Sequence, residues 1–239
     1  MKRKTPPSRI LITGAKRGLG LEFARQWLAR GDEVFVLARR PETSPDLAGL
    51  ARLHPAALRT VDCDVADDAS VERARRAVEE AWDRLDLAVN NAGIFGAEGG
   101  AVERLDLEEV RRVLEINTLG PLRIARAFVP LLRKGTGPRL VQITSLMGSI
   151  DDNRSGGSWG YRLSKAALNM ATRNLAHALK EAGIITVVLH PGWVRTGMGG
   201  SQAPLSPEEA VTSLVRTIDR LTPRQSGGFF DRDGKPCPW

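Results

Sequence analysis

The chain has 239 residues, 42% of them hydrophobic, and this length and apolar content predict one folded domain with a buried core. The formal net charge is +7, but basic residues are dispersed among acidic ones, which favours a solvated surface and argues against a nucleic-acid partner. No run approaches the roughly eighteen apolar residues of a membrane span.

The first eight residues are interpreted as a basic tail, and residues 9–239 as the single domain. The tail contains Lys2, Arg3 and Lys4 but lacks the apolar segment of a signal peptide. The two cysteines, Cys63 and Cys237, match no metal-binding spacing. These features predict a soluble, cytoplasmic protein with no metal site and no membrane partner. Contact of the tail with phosphate is an alternative use of its charge.

The first elements are predicted to be a strand, a glycine-rich turn and a helix. Residues 10–12 form an apolar run, and residues 21–29 have the apolar spacing of a helix that Gly31 closes. The glycines between them allow a tight turn and a close approach of the backbone to a pyrophosphate at the helix N-terminus. The spacing is GxxxGxG, and a plain turn is the alternative interpretation. The candidate cofactor contacts here are Gly14, Arg17, Gly18, Leu19 and Gly20.

The second predicted strand, residues 34–38, is followed by Arg39. NAD-selective sites usually have an acidic residue here, and no carboxylate ends this strand to repel a 2′-phosphate. Arg39 and Arg17 can instead form charge-assisted hydrogen bonds to that phosphate. This predicts that NADP(H) is preferred over NAD(H), and two solvated arginines are the alternative interpretation.

The remaining apolar runs alternate with helix-length segments. Continuous apolar strands indicate a sheet buried on both faces, and strands alternating with helices indicate parallel crossovers. The predicted fold is therefore a doubly wound, mainly parallel α/β sheet of seven strands with helices on both faces and ligands at the carboxyl ends of the strands. The later strands are predicted at residues 58–61, 85–89, 140–143, 184–189 and 226–230.

Two candidate polar residues follow in chain order. A helix predicted from about Asp106 contains Asn117 and, four residues later, Pro121. Because Pro121 has no N–H, the main-chain carbonyl of Asn117 is predicted to lack its helical donor. Ser145 follows the strand at 140–143, and its hydroxyl can donate to a substrate oxygen that gains negative charge.

Tyr161 and Lys165 are four residues apart and are expected on one face of a helix. A lysine ammonium near a phenol favours phenolate and is expected to lower the tyrosine pKa towards the range of a general acid. A solvated helix pair is the alternative interpretation. Ser149, Ser155 and Ser158 are alternatives to Ser145 as the hydroxyl that donates to the substrate oxygen. Among the sequence patterns, only the position of Ser145 at the end of a strand favours it.

These motifs resemble those of the short-chain dehydrogenase/reductase family over essentially the whole chain. The stretch from His190 to Gly200 and the ending at residues 226–239 are similar to the C-factor and sniffer-like carbonyl reductases. The resemblance rests on the turn Thr13–Gly20, on Asn90-Asn91-Ala92-Gly93, and on Asn117, Ser145, Tyr161, Lys165 and Pro191-Gly192.

The resemblance implies further site residues and an assembly. Asn117 would support a water near the lysine and join Ser145, Tyr161 and Lys165 as a catalytic residue. A homodimer or homotetramer is expected, with the helices that contain Asn117 and Tyr161 at the interface. The implied cofactor contacts are Asp64, Val65, Asn91, Ala92, Gly93, Tyr161, Lys165, Val194 and Thr196.

The leading hypothesis is an NADPH-dependent carbonyl reductase that moves hydride between nicotinamide and a carbonyl or alcohol substrate, with Tyr161 as proton donor. Loops near residues 146–160 and 193–205 would line the substrate site. The alternative is an NADP(H)-binding regulatory or signalling protein with little turnover, since a fold does not determine its function.

Overall fold

Seven strands form the central sheet in the computed structural model, which describes residues 7–97 and 101–239. The strands are β1 (Arg9–Thr13), β2 (Glu33–Ala38), β3 (Leu58–Asp62), β4 (Leu87–Asn90), β5 (Arg139–Ile143), β6 (Ile185–His190) and β7 (Phe229–Asp231). Their order is β3-β2-β1-β4-β5-β6-β7. All six pairings are parallel, so the chain must cross over between strands.

Seven α-helices make these crossovers and cover both faces of the sheet. One core contains Phe23 and Trp27 with residues of the first and last helices, whereas the other contains Phe128 and Trp82. The helices are α1 (Gly18–Arg30), α2 (Pro45–Leu53), α3 (Asp68–Ala81), α4 (Leu107–Leu114), α5 (Gly120–Leu132), α6 (Trp159–Ala178) and α7 (Pro207–Arg220). Coverage on both faces explains the continuous apolar strands.

Local sequence signals explain where several helices begin and end. Gly31 ends α1 with φ of 86°, a left-handed conformation that glycine adopts without a steric penalty. Ser206 begins α7 and exchanges hydrogen bonds with Glu209 in a capping box. These signals place the loops that precede and follow the helices.

A buried aspartate fastens three strands together at the amino edge of the sheet. The Asp86 carboxylate accepts hydrogen bonds from the N–H of Arg9 at 2.9 Å and from the N–H of Thr136 at 2.7 Å. Its main chain also pairs with Arg9 and with Arg139. Asp86 thereby ties β1, β4 and β5 at the edge opposite the candidate site.

The structure confirms the predicted doubly wound sheet of seven strands and corrects its last strand. β7 begins at Phe229, three residues after the predicted start at 226, because Gly227 adopts φ of 81° and its N–H donates to Thr186 outside the strand pairing. Most of the predicted basic tail, residues 1–6, lies outside the described residues. No helix in the described part of the chain is long and apolar enough to cross a membrane.

Candidate active site

The turn after β1 is bound to the turn after β4 through a buried threonine. Thr13 Oγ1 accepts hydrogen bonds from the N–H groups of Asn91 at 3.1 Å and Ala92 at 3.0 Å. The Asn91 amide returns two bonds, to the carbonyls of Thr13 at 3.0 Å and Gly14 at 3.2 Å. The two predicted cofactor segments therefore form one connected surface at the carboxyl edge.

Glycines are required in the turn after β1 because other backbone atoms lie too close for a side chain. A Cβ on Gly14 would stand 2.7 Å from the Ala92 Cα, and one on Gly20 would stand 2.7 Å from the Ala15 Cα. A Cβ on Gly18 would meet Thr196 at 3.4 Å. Helix α1 begins at Gly18, so its unpaired N–H groups face this edge and can receive a phosphate.

Gly14→Ala should weaken cofactor binding by about tenfold or more, because φ is +71° and the new Cβ collides with backbone. Gly183→Ala is a matched control, since Gly183 has φ of +66° but no atom within 4 Å of the added Cβ. Both variants carry the left-handed strain. Cofactor titration by fluorescence should therefore separate them, and equal affinities would show that the contact with Ala92 does not shape the site.

The ends of β2 and β3 bring Arg39 near Asp64. The Arg39 guanidinium lies 3.8 Å from the Asp64 carboxylate, and both side chains remain accessible. The N–H of Arg40 donates to the Asp62 carboxylate at 2.8 Å. As predicted, no carboxylate follows β2 directly. However, Asp62 and Asp64 at the end of β3 lie beside the end of β2. Buried Val65 packs against Gly120, where an added Cβ would meet it at 2.8 Å.

Arg17 and Leu19 lie in the glycine turn with different exposure. Arg17 precedes α1 in an extended conformation, and its side chain is exposed. Leu19 is half-buried and packs against the core beneath α1. Within residues 7–97 and 101–239, Arg17 makes no ion pair, so its guanidinium is available to a phosphate.

Tyr161 and Lys165 occupy the same buried face of α6. The Lys165 ammonium donates to the Ile143 carbonyl at 2.9 Å and lies 5.6 Å from the centre of the Tyr161 ring. Both side chains are buried, which excludes the solvated-pair interpretation. The Phe95 ring packs against the Tyr161 ring at 4.8 Å between centroids.

Burial dominates the titration of this pair. Burial raises the pKa of Tyr161 to about 12, and a hydrogen bond with the Ser145 side chain acts in the opposite direction. Burial lowers the pKa of Lys165 to about 8. The prediction that the lysine lowers the tyrosine pKa is therefore wrong for the protein without a bound ligand. Burial disfavours both the Tyr161 phenolate and the Lys165 ammonium.

Asn117 lies in a π-helical turn, Glu115–Leu119, between α4 and α5. Its side-chain oxygen accepts from the Ile94 N–H at 2.9 Å, and its amide donates to the Ile94 carbonyl at 2.8 Å and to Ser164 Oγ at 3.0 Å. In this turn the Gly120 N–H donates to Glu115, five residues back. The prediction for Pro121 assumed α-helical hydrogen bonds between residues four apart. The structure instead has π-helical hydrogen bonds between residues five apart at this turn.

Gly93 allows the side chains of Asn117 and Lys165 to converge. A Cβ on Gly93 would stand 3.2 Å from Asn117 Oδ1 and 3.8 Å from Lys165 Nζ. Ser164, between the two catalytic candidates of α6, receives the Asn117 amide and donates to the Tyr161 carbonyl at 2.8 Å. Ser164 is a connection that the sequence reasoning missed.

Ser145 begins a 3₁₀ turn, Leu146–Gly148, directly after β5. Its hydroxyl oxygen accepts from the Met147 N–H at 3.1 Å while the side chain bonds to Tyr161. The Leu146 N–H donates to His190 Nδ1 at 3.2 Å, and burial lowers the pKa of this histidine. Ser145 is thus the serine that the structure brings to Tyr161.

Val194 and Thr196 belong to a folded segment after β6. Val194 is buried and forms an isolated bridge with Leu205. Thr196 Oγ1 accepts from the Gly199 N–H at 3.1 Å, and its methyl group faces Gly18. The structure therefore brings this segment to the glycine turn. Among the residues that the structure describes, no group of three His, Cys, Asp or Glu could hold a metal ion.

The doubly wound sheet, with the glycine turn at its carboxyl edge, defines a Rossmann-type dinucleotide-binding fold. The family model for short chain dehydrogenases matches residues 8–205 of this chain. The chain therefore belongs to the short-chain dehydrogenase/reductase family.

Individual relatives agree with this family over most of their lengths. The chain is 46% identical over 155 residues to the C-signal of Myxococcus xanthus, covering 65% of this chain and 93% of the relative. It superposes on the carbonyl reductase Sniffer of D. melanogaster with a TM-score of 0.94 and 34% identity, covering 98% and 100% of the two chains. The NADPH-bound carbonyl reductase from chicken fatty liver gives a TM-score of 0.92 at 34% identity and the same coverage.

Proposed function

We propose that this protein is an NADPH-dependent carbonyl reductase. The observation that carries the proposal is the meeting of Ser145, Tyr161 and Lys165 at the carboxyl edge, where the Ser145 side chain acts to lower the pKa of Tyr161 and the Lys165 ammonium lies 5.6 Å from the centre of the Tyr161 ring. The similarity to two carbonyl reductase structures supports the same reaction class. Oxidation of an alcohol is the reverse of this reaction and uses the same groups.

Each residue has a distinct task in the proposed reaction. When bound, the nicotinamide supplies or accepts the hydride. Tyr161 donates the phenolic proton to the carbonyl oxygen, and Ser145 donates a hydrogen bond to that oxygen as its negative charge grows. Lys165 then favours the phenolate by its charge. Asn117, held by Ile94, keeps this polar interior in place and supports a water near the lysine.

The glycine turn, the β4 turn and the segment at Val194 would together hold the dinucleotide. Gly18 and Gly20 present the N-terminus of α1 to the pyrophosphate. Asp64 and Val65 would contact the adenine, whereas Val194 and Thr196 would contact the carboxamide. The remaining contacts would come from Gly14, Leu19, Asn91, Ala92, Gly93, Tyr161 and Lys165.

Arg39→Ala should raise the KM for NADPH by roughly tenfold to a hundredfold and leave the KM for NADH nearly unchanged. Only NADPH has the 2′-phosphate that an accessible guanidinium at this edge can bind. Arg52→Ala, another exposed arginine, is the control and should change neither constant. Steady-state kinetics with both cofactors provides the measurement, and an equal loss for NADH would assign Arg39 another role.

The regulatory alternative is favoured by one comparison, the 46% identity to a protein named C-signal. The two functions differ in turnover. Loss of NADPH absorbance with a panel of aldehydes, ketones and quinones would support the reductase. Tight NADPH binding without turnover across the panel would support the regulatory protein.

A homodimer or homotetramer remains the proposed assembly, with α4, α5 and α6 at the interface. Exposed apolar side chains on or beside these helices support it, because such residues are common at subunit contacts. Sedimentation would measure the oligomeric state of the unaltered chain and of a variant in which a charged residue replaces Met170. A smaller assembly in the variant would support this interface. The exposed apolar residues are Leu107, Leu119, Leu163 and Met170.

A further inference from the structure

The C-terminal residues turn back beside the last strand. The Asp231 N–H donates to the Lys235 carbonyl at 2.8 Å, and the Cys237 N–H donates to the Phe229 carbonyl at 2.9 Å. The Trp239 ring then packs against Phe229 at 5.5 Å between centroids and lies 5.6 Å from the Arg173 guanidinium. These contacts fix the position of Trp239 against β7 and α6.

The main chain of Trp239 binds the beginning of the loop between β5 and α6. Its main-chain oxygen accepts hydrogen bonds from Ser149 Oγ at 2.9 Å, from the Ile150 N–H at 2.5 Å and from the Asp151 N–H at 3.2 Å. One oxygen from a segment ninety residues away therefore satisfies three consecutive loop residues. We call residues 149–156 the clamped loop.

The end of the clamped loop is bound from the opposite side by Arg162. This guanidinium donates to the Met147 carbonyl at 3.3 Å, to Ser155 Oγ at 2.9 Å and to the Gly156 carbonyl at 3.0 Å. Arg162 directly follows Tyr161 on α6. The loop is thus fastened at one end to the C-terminal segment and at the other end to the helix that carries the proton donor.

The clamped loop is joined to Ser145 by a short turn that has little freedom. The Gly148 N–H donates to the Ser145 carbonyl and the Ser149 N–H donates to the Leu146 carbonyl, each at 2.9 Å. A Cβ on Gly148 would stand 2.7 Å from Lys165, so the turn lies directly on the α6 backbone. A displacement of Ser149 is therefore transmitted to Ser145 within one turn.

We propose that Trp239 and Arg162 are positioning residues that hold the clamped loop, and through it Ser145, over the substrate site. The inference rests on the proposed reductase function for its kinetic consequence. Neither residue touches the reacting atoms. Trp239 acts by its main-chain oxygen, whose position the ring contacts secure. Arg162 acts by its two bonds to the loop, at Ser155 and Gly156, and by its bond to Met147 in the preceding turn.

The kinetic test compares Trp239→Ala, Trp239→Phe and Lys235→Ala with the unaltered chain. Trp239→Ala should lower kcat/KM for a carbonyl substrate by about tenfold, mainly through kcat, because a loosened loop places the Ser145 hydroxyl less accurately against the oxygen that gains negative charge in the transition state. The Kd for NADPH should stay within about twofold. Trp239→Phe keeps an aromatic ring against Phe229 and should restore most of the loss, whereas Lys235→Ala alters the same segment without ring contact and should have no effect.

Two kinetic outcomes would overturn the proposal. One is a kcat/KM for Trp239→Ala within about twofold of the unaltered chain. The other is an equal loss in Trp239→Ala and Trp239→Phe, which would mean that the aromatic anchor is not responsible. Arg162→Met provides a second arm, since it releases the other end of the loop and should give the same fall in kcat.

Hydrogen exchange tests the clamp without relying on catalysis. In Trp239→Ala the amides of residues 149–152 should exchange at least about tenfold faster, while those of the glycine turn at 13–20 keep their rates. If the unaltered chain reduces no carbonyl but this exchange pattern appears, the reductase function fails and the clamp stands. Unchanged exchange at Ile150 and Asp151 would refute the clamp itself.

Discussion

Tyr161→Phe should reduce turnover by about a thousandfold and leave NADPH affinity nearly unchanged, because the variant loses only the hydroxyl that we propose as the proton donor. Phenylalanine retains the ring that is buried in α6 and packed against Phe95. The Ser145 hydroxyl remains, but an aliphatic alcohol is a poor general acid at neutral pH. Turnover would be followed by NADPH absorbance, and affinity by fluorescence titration.

Phe95→Leu is the control for the ring contact. It disturbs the partner of Tyr161 while keeping the phenol, and we expect a loss no greater than about tenfold. A similar loss in both variants would attribute the effect to ring packing. Turnover retained in Tyr161→Phe would remove this residue from the mechanism and direct the search for the donor to Ser145 or a bound water.

Lys165→Met should nearly abolish turnover, by about a hundredfold or more, and yet make the fold more stable at pH 7. The shift of the Lys165 pKa from 10.5 to about 8 means that burial of the ammonium costs roughly 3 kcal/mol at neutral pH. Loss of its hydrogen bond to Ile143 offsets about 1 kcal/mol of the gain. We therefore expect a net increase of about 1–2 kcal/mol in the free energy of unfolding, measured by chemical denaturation.

The pH dependence of stability identifies the lysine as the cause. Between pH 8 and the unfolded value near 10.5, the folded chain has released the Lys165 proton while the unfolded chain still holds it. The stability of the unaltered chain should therefore rise with pH across this window relative to Lys165→Met. Measurements from pH 7 to about 9 stay below the range in which Tyr161 titrates in the unfolded state, where its pKa is about 10. A variant that is less stable at pH 7, with no difference in slope, would show that the buried ammonium is stabilising.

The central sheet could be predicted because its signals are local. Each buried parallel strand is a continuous apolar run, and each run lies between helices with periodic apolar faces. The short last strand was misplaced because only three residues of β7 pair with β6, while Gly227 makes a separate bond to Thr186. A three-residue edge strand next to glycines is too short to show a periodic pattern of apolar residues.

The candidate residues could be selected from the sequence, but their bonding could not. Ser145 and Tyr161 are expected at one edge because both lie in the part of the chain that follows the carboxyl end of β5, and the structure brings them together. The π-helical turn at Asn117 has no sequence signal of its own, since it depends on Ser164 and Ile94 from other segments. The direction of the Tyr161 pKa likewise depends on burial, which a pair of residues four apart does not reveal.

Contacts between distant segments were the least predictable part of the site. The bond between Trp239 and Ser149 spans ninety residues and uses a main-chain oxygen, so no side-chain motif announces it. Thr13 was part of a recognised turn, but its role in holding Asn91 and Ala92 requires the pairing of β1 with β4. Such links become visible only when the topology is known.

The hydrogen bonds of Asp86 stabilise the sheet at its amino edge. The stability of the sheet therefore does not depend on the loops at the opposite edge, which can vary. The carboxylate bonds of Asp86 to Arg9 and Thr136 hold β1, β4 and β5 at the edge that lies away from the candidate site. The loops at the carboxyl edge can therefore differ in sequence without disturbing the strands that support them. Divergence of specificity on this scaffold would then carry little penalty in folding.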